Sequence, residues 1–314
     1  MKNNLLNEFK IFCTLTRSYS LPISVMSWLV PFVYAIFEKG NIFNGIAALI
    51  GIIILHLGSN LFDDIVDYSF ELIDIRKGKK CSFNFQKGKC TCFIENKVAL
   101  KQAFIIDLFL FTIATLIGIY YVYTMGLELL YIIILTAILC LLYPILGSRG
   151  FGEIIIALIF SPLLYSGVYF VMTGSFSLKI LILSISTGLM TVAVLVNHSI
   201  LDYRYDTTNR KITLCGISGS EKNALLLLFL IILAAYINLI FWILNSQFSV
   251  VYLLPFLTLP FVFKIIKEMN MFIKQEKSPD NAKSFLTKFL LVQNLQKYFI
   301  ILLCISVIID KFYR

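Results

Sequence analysis

Residues 46–74, IAALIGIIILHLGSNLFDDIVDYSFELID, change from an almost unbroken apolar run into a cluster of carboxylates. A run of about 20 apolar residues is long enough to cross about 30 Å of hydrocarbon as a helix. Similar runs recur along the chain, and 59% of its 314 residues are hydrophobic while only 14% are charged. A soluble domain carries about 25% charged residues. The composition therefore predicts a polytopic α-helical membrane protein.

Nine predicted spans define the expected fold. They lie near residues 19–37, 44–62, 102–122, 129–145, 152–172, 179–197, 223–244, 249–266 and 296–310. We expect an all-α integral membrane protein of about nine transmembrane helices, bundled around a central cavity that opens to the cytoplasmic side and to lipid. One polytopic domain is expected over residues 1–314, with cytoplasmic loops at about 63–101, 198–222 and 267–295. Residues 283–299 are expected to form an amphipathic segment at the membrane interface.

Basic residues are distributed unevenly between the two sides of this layout. With the N-terminus inside, 23 of the 27 Lys and Arg residues fall on the cytoplasmic side. Cytoplasmic loops of membrane proteins carry such an excess. We therefore expect an odd number of spans, a cytoplasmic N-terminus and a multi-pass protein of the cell (inner or plasma) membrane. The same bias explains the net charge of +9 without binding to nucleic acid.

Acidic residues follow the second span in a helical pattern. Asn60, Asp64, Asp67 and Glu71, at i, i+4, i+7 and i+11, share one face of a helix predicted over 57–74. We call these four residues the first acidic stripe, and Asp74 lies on its edge. Like charges at i, i+4 destabilise a helix unless something positive neutralises them. A hard divalent cation bound through oxygen ligands would do so.

A second group of acids follows the sixth span. Asp202 and Asp206, at i, i+4, form the second acidic stripe, and His198 precedes Asp202 by one turn. Acids at helix ends are often ordinary polar caps of hydrophobic spans. Here two such ends occur on the predicted cytoplasmic side, and both are followed by Lys and Arg. Ionisable groups at membrane depth are costly and tend to mark function, so two stripes favour a functional site.

The two stripes predict a site for magnesium and a diphosphate. Mg²⁺ takes one or two carboxylates and completes its coordination with water and phosphate oxygens, while apolar helices would surround a hydrocarbon tail. An isoprenyl diphosphate has both parts, and its ionisation would leave an allylic cation for a nucleophile to trap. The predicted metal ligands are Asn60, Asp64, Asp67, Glu71, Asp202 and Asp206, with Asp74 in support. The predicted diphosphate-binding residues are Asn60, Arg17, Lys79, Lys80, Arg210 and Lys211.

The sequences SNLFDDIVD (59–67) and HSILDYRYDTTNRKIT (198–213) resemble the two Asp-rich motifs of the UbiA superfamily of intramembrane prenyltransferases. Asn60, Asp64 and Asp67 match the first motif, and Asp202 and Asp206 match the second. Within the superfamily the chain looks most like the 1,4-dihydroxy-2-naphthoate prenyltransferases of menaquinone synthesis. The resemblance implies a transferase (EC 2.5.1.-) that uses Mg²⁺ to move a polyprenyl group from its diphosphate to a lipophilic acceptor, expected to be aromatic.

Some residues depart from the family pattern. Asp63 stands where the family has Asn, and His198 replaces one of the Asn residues of the second motif. His198 is either a general base near the acceptor or a hydrogen-bonded residue at a helix end. Two alternative functions stay open: a terpene synthase that cyclises its substrate without an acceptor, and a membrane transporter or lipid-binding protein. A transporter would place its acids near the bilayer midplane, whereas these acids lie at helix ends.

Three cysteines share one predicted cytoplasmic loop: Cys81, Cys90 and Cys92. C-x-C is a weak metal-binding spacing. We therefore expect free thiols in a reducing compartment rather than a metal cluster.

Overall fold

The computed structural model describes the following parts of the chain: residues 2–76, 90–203, 206, 212–274 and 282–313. Within these ranges every named element is helical, and nine helical runs are long and apolar enough to cross a membrane. This confirms the predicted all-α membrane class. The chain forms two compact units, and a single domain over residues 1–314 stays a prediction.

The first unit comprises Met1–Val25 and Ile46–Pro144. Its elements are α1 (Lys2–Leu15), a 3₁₀ turn (Ser18–Ser20), the start of α2 (Leu21–Phe37), most of α3 (Ile42–Arg76), α4 (Thr91–Ile94), α5 (Leu100–Met125) and most of α6 (Glu128–Gly147). No proline interrupts the 35 residues of α3, so the helix continues beyond the apolar run and confirms the helix predicted over 57–74.

A small apolar cluster supports the acidic end of α3. Leu61 and Ile65 of α3 pack with Leu15 of α1, Phe93 of α4 and Ala103 of α5. Cys90 belongs to the same cluster, and its backbone N–H donates to Asp64 Oδ2. The cluster therefore packs around the buried carboxylate of Asp64.

The second unit comprises Met26–Gly45 and Ile145–Arg314. Besides the rest of α2, its elements are α7 (Gly152–Leu158), a π-helical turn (Ile159–Leu163), α8 (Leu164–Thr173), α9 (Leu178–Leu201), α10 (Leu214–Ile217), α11 (Glu221–Leu244), a 3₁₀ helix (Val250–Thr258), α12 (Leu259–Lys274) and α13 (Ala282–Phe312). α9 packs against α7, α11 and α13. About 72% of its most apolar stretch is buried, so α9 is the central helix of this unit.

The predicted loop 267–295 and the predicted interfacial segment 283–299 differ from the structure. α12 continues to Lys274, and the last helix already begins at Ala282. Val292 and Leu295 are buried, and the Gln296 side-chain amide donates to Thr191 Oγ1 of α9 at 2.8 Å. Gln296 is thus satisfied inside the unit, and the candidate spanning helix already begins at Thr287.

α9 approaches the junction between α7 and α8 closely. Pro162 lies in the π-helical turn between them, and proline removes a backbone donor there. The Ser161 hydroxyl donates to the Ser184 carbonyl of α9. A Cβ on Gly188 would lie only 2.5 Å from the Ser161 Cβ. This contact requires glycine, as close helix packing in membranes often does.

Gly188→Ala should therefore destabilise the protein by about 1–3 kcal/mol through overpacking. The measurement is the midpoint of thermal unfolding of purified protein in detergent. Gly118→Ala is the matched control, because the nearest atom to its new Cβ, Ile133 Cδ1, would be 3.4 Å away. Equal unfolding midpoints for the two variants would contradict the close approach.

Candidate active site

Arg17 lies beside the carboxylates at the acidic end of α3. It joins α1 to the 3₁₀ turn in the left-handed conformation, with φ 49° and ψ 43°, which few residues other than glycine adopt. Its Nη2 donates to Asp63 Oδ2 at 2.7 Å and to the backbone carbonyl of Asn60 at 2.9 Å. Its Nε lies 3.5 Å from Asp64 Oδ1. The turn thus directs one guanidinium at two adjacent carboxylates.

Burial makes this ion pair energetically important. Asp63 and Asp64 are 3% and 2% exposed, and a buried carboxylate is costly unless it is paired. Burial alone would lower the pKa of Arg17, but the charges of Asp64 and Asp63 outweigh it and raise that pKa. The guanidinium therefore stays charged. The sequence predicted a diphosphate ligand at Arg17 and missed this carboxylate contact, because the partners lie more than forty residues apart.

Cys90 provides a second partner for Asp64. Its backbone N–H donates to Asp64 Oδ2 at 2.8 Å, and its thiol donates to the Asp64 carbonyl at 3.4 Å. Cys92, two residues on, donates its thiol to the Ile11 carbonyl at 3.8 Å, and burial raises its pKa. Neither cysteine forms a disulfide among the described residues. Sequence spacing did not indicate that Cys90 holds the chain against α3 and that Cys92 holds it against α1.

The remaining residues of the first acidic stripe lie on the same helix. Asn60 is held by the segment between α1 and α2, where its Nδ2 donates to Ser20 Oγ at 2.9 Å and to the Thr16 backbone carbonyl at 3.2 Å. Asp67 is half-buried. Glu71 lies in the last turns of α3, as does Asp74. The predicted residues Lys79, Lys80, Arg210 and Lys211, and also Cys81, lie outside the described residues.

The second acidic stripe lies at the end of α9. Asp202 follows the last residue of this helix, and the Asp206 N–H donates to the Asp202 carbonyl at 2.9 Å. His198 Nδ1 is 3.2 Å from Asp202 Oδ2. The imidazole is 47% exposed and contacts Phe289 edge to face, with ring centroids 5.6 Å apart. The Asp202 side chain is 17% exposed, whereas Asp206 is only 2% exposed. The more accessible of the two acids is therefore the one beside the histidine.

Glu153 anchors the chain that follows the second stripe. Its Oε1 accepts the Leu214 N–H at 3.2 Å, while the Cys215 thiol donates to the Val196 carbonyl at 3.3 Å. Burial raises the pKa of Cys215 to about 12, with a further contribution from the charges of Glu153 and Asp206, so Cys215 stays a thiol. Glu153 lies in the first turn of α7. Its contact with a segment sixty-one residues away has no sequence signature.

Each acidic stripe, taken by itself, offers oxygen donors of the kind that a magnesium ion binds. Asn60, Asp64 and Asp67 offer oxygen donors on one face of α3, and Asp202 and Asp206 offer carboxylates at the end of α9. Across the part of the chain that the structure describes, no three or more His, Cys, Asp or Glu side chains converge as a complete metal cage. Mg²⁺ does not need such a cage, because it keeps waters and takes phosphate oxygens.

Comparisons with known proteins identify the family and the fold. The model of the UbiA prenyltransferase family matches residues 24–292. A search of curated proteins found no match. Among solved structures, a UbiA homolog from Archaeoglobus fulgidus bound to GPP and Mg²⁺ is similar, with 11% identity over 93% of this chain and 99% of that chain and a TM-score of 0.65.

Two further structures agree. The apo structure of a UbiA homolog from Aeropyrum pernix K1 has 16% identity over 92% of this chain and 98% of that chain, with a TM-score of 0.63. Digeranylgeranylglyceryl phosphate synthase has 13% identity over 98% of this chain and 100% of that chain, with a TM-score of 0.63. At these identities the likeness shows the fold, which agrees with the predicted membrane helices.

Arg17→Ala should destabilise the protein by about 3 kcal/mol, because it leaves two buried carboxylates without their cation. Adding Asp63→Asn should recover a large part of that loss, so that the double-mutant cycle gives a coupling energy above about 1 kcal/mol. The measurement is thermal unfolding in detergent at neutral pH. Lys97→Ala is the control, because its pair with Glu95 is about half exposed and such pairs contribute about 0–1 kcal/mol. Additive effects of the Arg17 and Asp63 changes would contradict the pairing.

Proposed function

This chain belongs to the UbiA prenyltransferase family, and from that premise we propose that it transfers a polyprenyl group from an isoprenyl diphosphate to a lipophilic, aromatic acceptor in an Mg²⁺-dependent reaction. The observation that carries the proposal is the pair of acidic stripes, each at the end of an apolar spanning helix. A relative of the same fold binds GPP and Mg²⁺. The reaction would be that of a transferase of EC 2.5.1.-.

The metal ligands we propose are the oxygen donors of the two stripes: Asn60, Asp64, Asp67, Glu71, Asp202 and Asp206. When bound, Mg²⁺ would neutralise the charge that develops on the leaving diphosphate. Arg17 already lies at the first stripe with its charge in place, which suits it to contact a diphosphate oxygen. Lys79, Lys80, Arg210 and Lys211 are proposed to contribute the remaining positive charge. The protein would act at the cytoplasmic face of the cell membrane.

His198 is proposed to accept the proton that the acceptor loses. Its Nδ1 lies 3.2 Å from Asp202 Oδ2, and its side chain is about half exposed. A carboxylate in this position can orient an imidazole and stabilise its protonated form. The other ring nitrogen would then face the acceptor. Asp202 would serve both as an oxygen donor of the second stripe and as the residue that orients His198.

The acceptor we propose is 1,4-dihydroxy-2-naphthoate or a related aromatic, which would place the protein in quinone and menaquinone biosynthesis. Support comes from the likeness of SNLFDDIVD to the first motif of that subgroup. The test is to supply purified protein in liposomes with a polyprenyl diphosphate and Mg²⁺, with and without this acceptor. We expect a prenylated product only when the acceptor is present. A hydrocarbon formed without any acceptor would instead indicate cyclisation.

Asp64→Ala and Asp202→Ala should each lower Mg²⁺-dependent diphosphate release by about 100-fold or more, because each removes a charged oxygen donor from its stripe. The measurement is release of diphosphate from a polyprenyl diphosphate, with thermal unfolding as a check that the protein is folded. Glu95→Ala is the control, since this acid is exposed and pairs with Lys97. Full activity in either Asp variant would overturn the site assignment.

His198→Gln should reduce formation of the prenylated product by about 100-fold, in the range typical of a lost general base. Diphosphate release should fall less, because the glutamine leaves both stripes intact and ionisation does not require the base. The two rates are measured in the same reaction. Equal reductions in product and in diphosphate would argue against a role in proton transfer.

A further inference from the structure

A hydrogen-bond network extends from the interior of α3 to Asn60. His56 lies one turn before Asn60 on α3, within a membrane span. Its Nε2 is 3.0 Å from Ser20 Oγ, and its Nδ1 bonds to Ser24 Oγ. The same Ser20 hydroxyl accepts the Asn60 Nδ2–H at 2.9 Å. Burying polar groups inside a membrane costs free energy. Here that cost is offset by hydrogen bonds that link four side chains: Ser20, Ser24, His56 and Asn60.

The bonds around Ser20 allow one assignment of hydrogens that satisfies all of them. The Ser20 hydroxyl donates its single hydrogen to the Arg17 carbonyl at 2.9 Å, so it can only accept from His56 and Asn60. His56 must then carry its proton on Nε2, which leaves Nδ1 to accept from the Ser24 hydroxyl. A neutral imidazole has one donor and one acceptor, and the two serines use both.

The network also fixes the orientation of the Asn60 amide. An amide nitrogen has two hydrogens, and those of Asn60 are taken by Ser20 Oγ and by the Thr16 carbonyl. If the amide rotated by 180°, its oxygen would face the Thr16 carbonyl, and two acceptors would meet. The Asn60 Oδ1 therefore points away from Thr16 and Ser20, and oxygen is the atom that a hard cation binds.

We propose that His56 is a positioning residue, which acts through Ser20 to orient the side-chain Oδ1 of Asn60 as a metal ligand. The proposal rests on the proposed function, since it assigns a role in binding a divalent cation at the first acidic stripe. The donor on His56 Nε2 takes one acceptor position of Ser20 and so fixes the direction of the Ser20 hydrogen. Without it, the Ser20 hydroxyl and the Asn60 amide can each adopt other orientations.

Mn²⁺ binding tests this directly, by electron paramagnetic resonance titration of purified protein in detergent with geranyl thiolodiphosphate, a slowly ionising substrate analogue. His56→Leu should weaken Mn²⁺ binding by about 10- to 100-fold, the usual effect of losing a residue that orients a ligand. His56→Gln should keep an affinity near that of the unchanged protein, because its amide can donate to Ser20. Ser20→Ala should weaken binding as His56→Leu does.

A double-mutant cycle separates positioning from a general effect on the fold. In the Asn60→Ala background, adding His56→Leu should weaken Mn²⁺ binding no further, because the ligand being oriented is already absent. Ser69→Ala is the control, since its hydroxyl lies on the same helix and donates to the Ile65 carbonyl. It should bind Mn²⁺ normally.

The outcomes distinguish this inference from the proposed function. If the unchanged protein and Asn60→Ala bind Mn²⁺ equally weakly, the metal site itself is wrong and the inference falls with it. If Asn60→Ala loses affinity while His56→Leu and Ser20→Ala bind normally, the metal site stands and only the positioning role is overturned. Should His56→Leu fail to fold, Ser20→Ala decides, and normal affinity in that variant overturns the role.

Discussion

Burial of carboxylates at the end of an apolar helix is the constraint on which the acidic end of α3 depends. Asp63 and Asp64 are almost completely buried, and a buried charge without a partner would destabilise the protein by several kcal/mol. The Arg17 guanidinium and the Cys90 N–H supply the partners. Both come from segments far away in sequence, so the acidic end of α3 is stable only once α1, α3 and the start of α4 have come together.

The same constraint explains how an acidic site can exist before any metal binds. Arg17 compensates two carboxylates, yet its Nε remains 3.5 Å from Asp64, which is longer than a strong charge-assisted hydrogen bond. We propose that a cation and a diphosphate use this arrangement, with the metal at the carboxylates and the phosphate oxygens at Arg17. Asp63, which stands where the family motif has Asn, adds a carboxylate that holds the guanidinium in place.

Neutral hydrogen bonds complement these charges deeper in the span. His56, Ser20 and Ser24 use hydroxyls and one imidazole to orient the Asn60 amide. Such groups are tolerated among apolar side chains because each donor meets an acceptor. At the other stripe, Glu153 plays a comparable part, since it accepts the Leu214 N–H of the chain that follows Asp206. Each stripe is thus supported by polar residues whose partners are remote in sequence.

The sequence by itself determined the membrane class, the approximate positions of most of the nine candidate spans in the described residues and the helical spacing of the acids after the second span. These features depend on hydrophobic run length and helical periodicity, which are local properties of the chain. It did not predict that the last spanning helix begins at Thr287, because Gln296 donates to Thr191 of another helix. Nor did it predict the partners of Asp64, the anchoring by Glu153 or the link from His56 to Asn60. Only the tertiary structure decided these, because hydrogen-bond and ion-pair partners depend on which helix faces pack together. The spacing of residues along one helix does not indicate which other helices it contacts.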